Sequence, residues 1–450
     1  MAVLRVKTLQ MIAVSMAAPL LIAGCGSSDS AESGVTETVS ADGVVIPEIP
    51  KCTVKFGHEP YGDHTQSIIG VRQGWLEEVG ISFEPPDGAV VASENVVPYF
   101  ASGQVDVLSG SVPLLLAASK ELPEFKYFFY ADAFLGYALM AQPDAGYKSA
   151  AEFEAEGLST NDAVKAAVEQ MKGKRFGYPA ENAIKGFINL TLKKGGLTLD
   201  DTVNTIAEDS KTSALMIGDQ LDFQVGGVPS RLTLEAQGFK PIVTSADLAA
   251  AAQPSVDSEE LLAIFHDGWG ATDEWIDANY DCMLRLTSVG FRINQLINEN
   301  QAEAIALHLP FLNQAAGTDF DEATFKVIYE SLNPFLTFEQ QNDWYNNPDN
   351  PMQVEYVVGA HIKSAKAAGQ IDESKTLADF DMSKEVYETF VQLKASSETK
   401  IAEAKGLVSD STPQAKELLA QAEKFYAAFD YLDADRFATA AIDAVAVEAG

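Results

Sequence analysis

The sequence predicts an α/β protein of two similar lobes, each a mostly parallel sheet with flanking helices, followed by a C-terminal helical region. Three observations predict it. The octet DVLSGSVP at 106–113 is rewritten as DFQVGGVP at 222–229, with Asp, Gly and Val-Pro in the same places. Each octet closes a run in which strand-like and helix-like segments alternate. Beyond residue 351 the periodicity is helical. A few matching Gly and Pro positions arise by chance in 450 residues, so the surroundings must decide.

The match extends backwards from each octet. CTVKFGHEP at 52–60 and GKRFGYP at 173–179 are short strands with Phe-Gly in the same place. DHTQSIIGVRQGWLEEVG at 63–80 and ENAIKGFINLTLKKGG at 181–196 follow, both apolar at helical spacing and both ended by glycine. Next come the strands ISFEPP (81–86) and VNTIAED (203–209), then the helices SENVVPYFASG (93–103) and SKTSALMIG (210–218), each opening on serine. Each unit is therefore β-α-β-α-β, the pattern of a parallel sheet with covering helices. In such sheets ligands bind outside the carboxyl ends of the strands. The octet is expected twice because each lobe needs the same strand exit at the rim of a shared cleft. Two segments are suited to crossing between lobes: the aromatic run 124–146, and 260–281 with its Gly-Trp-Gly. Two crossings make a hinge.

The N-terminus predicts export. Arg5 and Lys7 precede an apolar stretch from 11 to 23, too short and interrupted for a membrane span. Ile22-Ala23-Gly24-Cys25 follows, and then a polar run, GSSDSAESGVTETVSADG. Residues 1–24 thus read as a signal peptide, 25–51 as a flexible tether, 52–133 with 265–350 as the first lobe, 134–264 as the second, and 351–450 as helical extension. Net charge is −34, from 65 acidic and 31 basic side chains, which repels nucleic acid and anionic lipid surfaces. Cys52 and Cys282 either pair outside the cell or stand as two buried thiols. There is no CxxC, HExxH or GxxxxGK[ST] motif and only five histidines, so neither a metal nor any other cofactor is expected.

Cys25 after its small residues resembles the lipobox of bacterial lipoproteins. VKFGHEP…GWLEEVGISFE, ASGQVDVLSG, KGKRFGYPAENAIKGFINLTLKKGGLTLDD and IGDQLDFQVGGVP together resemble the nitrate/sulfonate/taurine group of ABC-importer solute-binding proteins, which is similar to the thiamine-pyrimidine-precursor binders. The likeness spans roughly 52 to 371; the segment 153–171 and the chain from about 385 exceed the pattern. It implies the type II periplasmic binding-protein fold, acylation of Cys25, and a monomer anchored by lipid on the outer face of the membrane (or periplasmic). Such a protein captures a small solute for separate permease subunits and is not an enzyme. Two rivals remain: a surface receptor or sensor of the same fold, and a pyrimidine-synthesis-like enzyme.

The rim residues expected to meet the ligand are His58, Glu59, Tyr61, His64, Ser109, Gly110 and Ser111 from the first lobe, Tyr178, Glu181, Asn182, Gly226 and Gly227 from the second, and Trp269 after a crossing. Each has a plainer alternative. His58 could hold a loop carbonyl, Glu59 and Glu181 could cap helices, Ser109 and Ser111 could form turns, and Trp269 could pack. Sulfonate binders of the family often carry Ser or Thr with His where this chain has Glu181-Asn182. A carboxylate facing an oxyanion is repulsive, so the expected solute is neutral and polar or cationic, such as an amine or heteroaromatic stacked on Tyr61, Tyr178 or Trp269.

Overall fold

Each octet begins by clipping its lobe together. The Asp106 carboxylate accepts from the Lys55 backbone N–H at 3.1 Å, while the Asp106 N–H donates to the Lys55 carbonyl. Asp222 does the same to Arg175, at 2.8 Å. Both clips draw the octet strand alongside the first strand of its unit. The strand Phe56–His58 then lies parallel to Val107–Ser111, and Arg175–Tyr178 parallel to Phe223–Val225. Gly57 and Gly177 make that approach possible: a Cβ there would stand 3.0 Å from Leu108 and 2.3 Å from Leu221.

These contacts belong to a computed structural model that describes residues 37–40, 43–122, 124–180 and 182–449; the expected signal peptide, Cys25 and Glu181 lie outside the described residues. The first-lobe sheet runs Ala89–Val90, Phe56–His58, Val107–Ser111, Phe265–Thr272, Phe125–Phe134. The second runs Val203–Ile206, Arg175–Tyr178, Phe223–Val225, Ala138–Ala141, Lys240–Thr244. In each, three parallel strands are followed by antiparallel ones. The chain crosses outward between Phe134 and Ala138 and returns into Phe265–Thr272. One expectation needs correcting. The strand within ISFEPP, Ile81–Phe83, leaves the main sheet to pair with Cys52–Val54, and the two-residue strand Ala89–Val90 takes its place.

Both octets end in a helix whose first turn holds the proline: Val112–Ala118 and Val228–Ala236. Proline suits that turn because its missing N–H would have no intrahelical partner there. The segment 153–171 belongs to two short helices, Ala150–Ala155 and Thr160–Glu169, started by Ser149 and Ser159 as caps. After the return, Tyr280–Glu299 packs its buried face under the first-lobe sheet. Val354–Ala367 is tied on by His361, whose Nε2 lies 2.7 Å from the Ile264 carbonyl. The last three helices, Ser383–Leu407, Pro413–Ala427 and Tyr431–Ala449, share an alanine-rich core built around Ala404, Leu418, Ala422, Phe425, Ala438 and Ala441. Val44 is buried in that core, and the hairpin Glu37–Val39/Val45–Pro47 lies against the last helix. The expected tether therefore does not extend through residues 43–51, because VVIP supplies apolar side chains that the bundle buries. No helix among the described residues is long and apolar enough to cross a membrane.

Of the two cysteine alternatives, the bonded one is found. Cys52 and Cys282 form a disulfide across a sequence separation of 230, with Cα atoms 6.2 Å apart. It joins the strand Cys52–Val54 to the helix Tyr280–Glu299. A cross-link over so long a loop restricts the unfolded chain strongly and stabilises by about 3–5 kcal/mol. The double variant Cys52→Ser/Cys282→Ser should lose that much in guanidinium unfolding. Equal midpoints for wild type and variant would contradict the bond.

Candidate functional site

The carboxyl ends of both sheets meet at a narrow cleft. Tyr61, Asp63, His64 and Ser111 line it from the first lobe, Ala183, Gly227 and Val228 from the second, and Phe134, Tyr137 and Phe265 from the crossing segments. The lobes approach closely here: a Cβ on Gly227 would stand 3.6 Å from the Tyr61 ring. Gly110 and Gly226, the octet glycines, sit one residue behind Ser111 and Gly227 in their strand exits. Gly226 leaves its neighbours no room for a side chain, since a Cβ would stand 2.1 Å from an Asp209 oxygen, and a Cβ on Gly110 would press to 3.1 Å from a Glu59 carboxyl oxygen.

Behind Asp63 and His64 lies a buried acidic cluster. His64 Nε2 is 2.9 Å from Asp267 Oδ1 and 3.9 Å from Asp63 Oδ2, and its Nδ1 is 3.3 Å from Glu59 Oε2. Ser93 donates to the other Glu59 oxygen at 2.5 Å. Asn333 spans Asp132 at 2.9 Å and Asp63 at 3.3 Å. Burial pushes Glu59 above the usual carboxylate range despite the pull of His64. Burial and the neighbouring aspartates push Asp132 and Asp267 well above it. Burial opposes charge on His64, but Asp63 and Asp267 outweigh it and hold the imidazole well above its ordinary value. The other four histidines are buried and held down, His58, His266 and His361 to about 4 and His308 to about 3. His64 alone is set up to carry charge. Asp63, His64 and Asp267 each offer one atom able to ligate a metal, all within 4.8 Å of one another, where no sequence motif announced such a group.

The structure separates the expected rim residues. Tyr61, His64, Ser111 and Gly227 line the cleft. Glu59 stands behind His64 rather than at the surface of the cleft. His58 is a correction: its Nε2 is engaged by the Asp87 carbonyl at 2.9 Å, and its Nδ1 faces Ser67 and the His64 carbonyl. Trp269 is another. It is wholly buried between Phe56 and Phe129, because its strand lies mid-sheet and the ring fills the space under it. Ser109 is buried inside its strand, and Tyr178 stacks on Phe176 away from the cleft lining. Asn182 opens the helix Asn182–Lys194, whose Ala183 reaches the cleft.

Sequence reasoning passed over Asp267, Asp132, Phe134, Tyr137 and Phe265. A signal was present for the two aspartates. Each interrupts an otherwise apolar strand, FHDGWGAT and FKYFFYADAF, and the two face each other in register. An unpaired charge in such a run is expensive and marks a site.

On the second-lobe side, Asp209 holds the glycine loop, accepting from the Gly227 N–H at 2.9 Å and from Gln224 at 3.2 Å. A larger pocket lies behind Val112–Ala118, floored by Leu115, Phe125, Val358 and Phe380. Its charged rim is already paired, as in Lys375 with Asp379 and Glu124. None of its lining residues is a buried polar group without a partner. Four of the buried polar atoms without a partner, on Glu59, His64, Asp132 and Asp267, cluster behind the cleft.

No protein-family model matches the sequence, and no curated protein matches it. Solved structures do. The periplasmic sulfonate-binding protein SsuA of Methylobacillus flagellatus superposes with a TM-score of 0.54 at 14% identity, covering 76% of this chain and 95% of that one. The periplasmic nitrate-binding protein NrtA of Synechocystis gives 0.51 at 12% identity, over 76% and 89%. The desulfurization enzyme DszB gives 0.50 at 13% identity, over 76% and 99%. At such identities the likeness is one of fold, and the chain has the type II periplasmic binding-protein fold with a C-terminal helical region.

Asp209 yields a pH test. Its carboxyl is pushed up to about 6, by burial first, against the pull of Ser230, Gly227 and Gln224. An unfolded aspartate titrates near 4. The proton is thus held more tightly in the fold, and the contribution is complete below about pH 4 and lost as pH rises through about 6. The stability of wild type relative to Asp209→Asn should fall by roughly 1–3 kcal/mol between pH 4 and 7 in urea unfolding. Parallel profiles would contradict a buried Asp209 carboxyl.

Proposed function

We propose that the protein is an extracytoplasmic solute-binding lipoprotein, tethered through Cys25, that closes its two lobes on a small neutral polar or cationic solute and passes it to an ABC permease. The observation that carries the solute class is the cleft wall itself. Among the described residues that line it there is no lysine or arginine; there are Asp63 and His64, four aromatic rings and a glycine backbone. SsuA and NrtA are described as binding sulfonate and nitrate, anions that a carboxylate wall would repel by several kcal/mol if desolvated. A cation or a polarised heteroaromatic ring gains instead from the faces of Tyr61, Tyr137, Phe134 and Phe265. The fold supports capture between lobes, and the lipobox pattern supports anchoring.

The enzyme reading draws on the fold of DszB. Against it, the two described cysteines are bonded to each other, which leaves no thiol among the described residues of the cleft.

Native mass spectrometry of freshly purified protein should reveal one co-purified small molecule. Calorimetry should then give one-to-one binding of amine or heteroaromatic solutes and no heat with taurine or nitrate; micromolar taurine binding would overturn the solute class. Tyr61→Ala should weaken binding about 3- to 30-fold, the worth of one stacked ring or cation–π contact. In fractionated cells, Cys25→Ser should move the protein from membrane to soluble fractions; a variant that stays on the membrane would refute the lipid anchor.

A further inference from the structure

We propose that Asp63, His64 and Asp267 form a divalent transition-metal site in the cleft wall, with Glu59 orienting the imidazole from behind and one coordination position facing the cleft. The starting point is a meeting of buried carboxyls that share only His64 and Asn333 as side-chain donors. Asp63 and Asp267 stand within hydrogen-bonding reach of each other, carboxyl to carboxyl, and His64 Nε2 points at both, at 3.9 and 2.9 Å. Such an arrangement is stable only if something positive sits among the lone pairs, either protons or a cation. A metal bound at about 2.1 Å in tetrahedral geometry places its ligand atoms roughly 3.4 Å apart. The observed separations bracket that figure.

Further observations point the same way. Asp267 Oδ2, Glu59 Oε2, His64 Nδ1 and Asp132 Oδ2 are all buried without a hydrogen-bond partner, which buried polar atoms ordinarily avoid. Glu59 Oε2 lies 3.3 Å from His64 Nδ1, close but not yet aligned for a hydrogen bond. A small turn of the imidazole would let Nδ1–H donate to Glu59, which leaves Nε2 as the free ligand atom. That is the carboxylate–histidine–metal arrangement that fixes a ligating histidine elsewhere. Charge gives the third argument. The groups acting most strongly on Glu59, Asp132 and Asp267 are one another, Asp63, His64, Ser93, Ser111 and Asn333, with no lysine or arginine. Four carboxyls against one imidazole leave room for two positive charges. One imidazole and two carboxylates form a donor set suited to zinc, manganese or cobalt.

Asp63 and His64 line the cleft, so the open coordination position would meet water or a nitrogen or oxygen donor of the solute. The ion offsets two of the carboxyl charges, and the solute class narrows to neutral donors that can complete its coordination. Only this last step rests on the proposed function; the metal site does not.

The test uses the full chain, stripped with chelator and titrated with Zn2+ and Co2+ in calorimetry. One ion should bind per chain, and Co2+ should give the ligand-field absorption of a four-coordinate site. His64→Ala and Asp267→Asn should weaken binding at least 100-fold, and Glu59→Gln about 10- to 100-fold with the Co2+ spectrum kept. Should these variants not fold, pulsed EPR of Cu2+-loaded wild type must still show one coordinated imidazole. Binding that is absent, or equally strong in folded His64→Ala, or free of imidazole in the EPR, would overturn the site. Solute binding that persists without metal would overturn the contact between ion and solute and leave the proposed function standing. Metal binding without any solute would overturn the proposed function and leave the metal site standing.

Discussion

Two aspartates hold the architecture in register. Asp106 on Lys55 and Asp222 on Arg175 each exchange a side-chain and a backbone hydrogen bond with the start of the first strand of the lobe. Everything downstream depends on that pairing. It sets which glycine faces which leucine between the two strands. It also brings the strand exits at Ser111 and Gly227 to the same seam, where the helices that follow begin. A sheet slipped by one residue would turn every one of these side chains to the opposite face.

The seam carries a tension that, among the described residues, the buried Asp430 and Asp433 share. Elsewhere, buried polar groups are mostly matched: Arg285 donates to the Pro50 and Val79 carbonyls, and Arg436 reaches Asp281 where the last helix meets the body. In the cleft wall, carboxyls face carboxyls. Folding alone gains nothing from that, since a buried charge without a partner is among the costliest arrangements a core can hold. Such local conflict is tolerated where binding resolves it, by a cationic solute, an ion or a proton.

Much of this was legible in the sequence. The α/β class and the two sheets follow from alternation, glycine stops and the repeated octet, because local propensity and global topology agree at those positions, while the second strand of the first unit gives up its place to Ala89–Val90. Individual site residues were less legible. His58 and Trp269 look functional in the chain because each sits beside a strand end or between glycines, yet each is consumed by packing, His58 on Asp87 and Trp269 between Phe56 and Phe129. Asp63, Asp132 and Asp267 come from distant stretches and meet only through the fold, so no local spacing could join them. The hairpin at 37–47 was hidden for a different reason: its few apolar residues gain meaning only from an alanine-rich bundle some 400 residues away, which nothing in the local composition reveals.

The measurement that bears most directly on the central claim is a crystal structure of the protein purified with whatever it carries from the cell. The account predicts a small molecule between the Tyr61 ring and the Gly227 backbone, with Asp63 within contact distance and both lobes closed over it. Density for the molecule in the outer pocket beneath Phe380, with an empty or collapsed seam at Ser111 and Gly227, would contradict it.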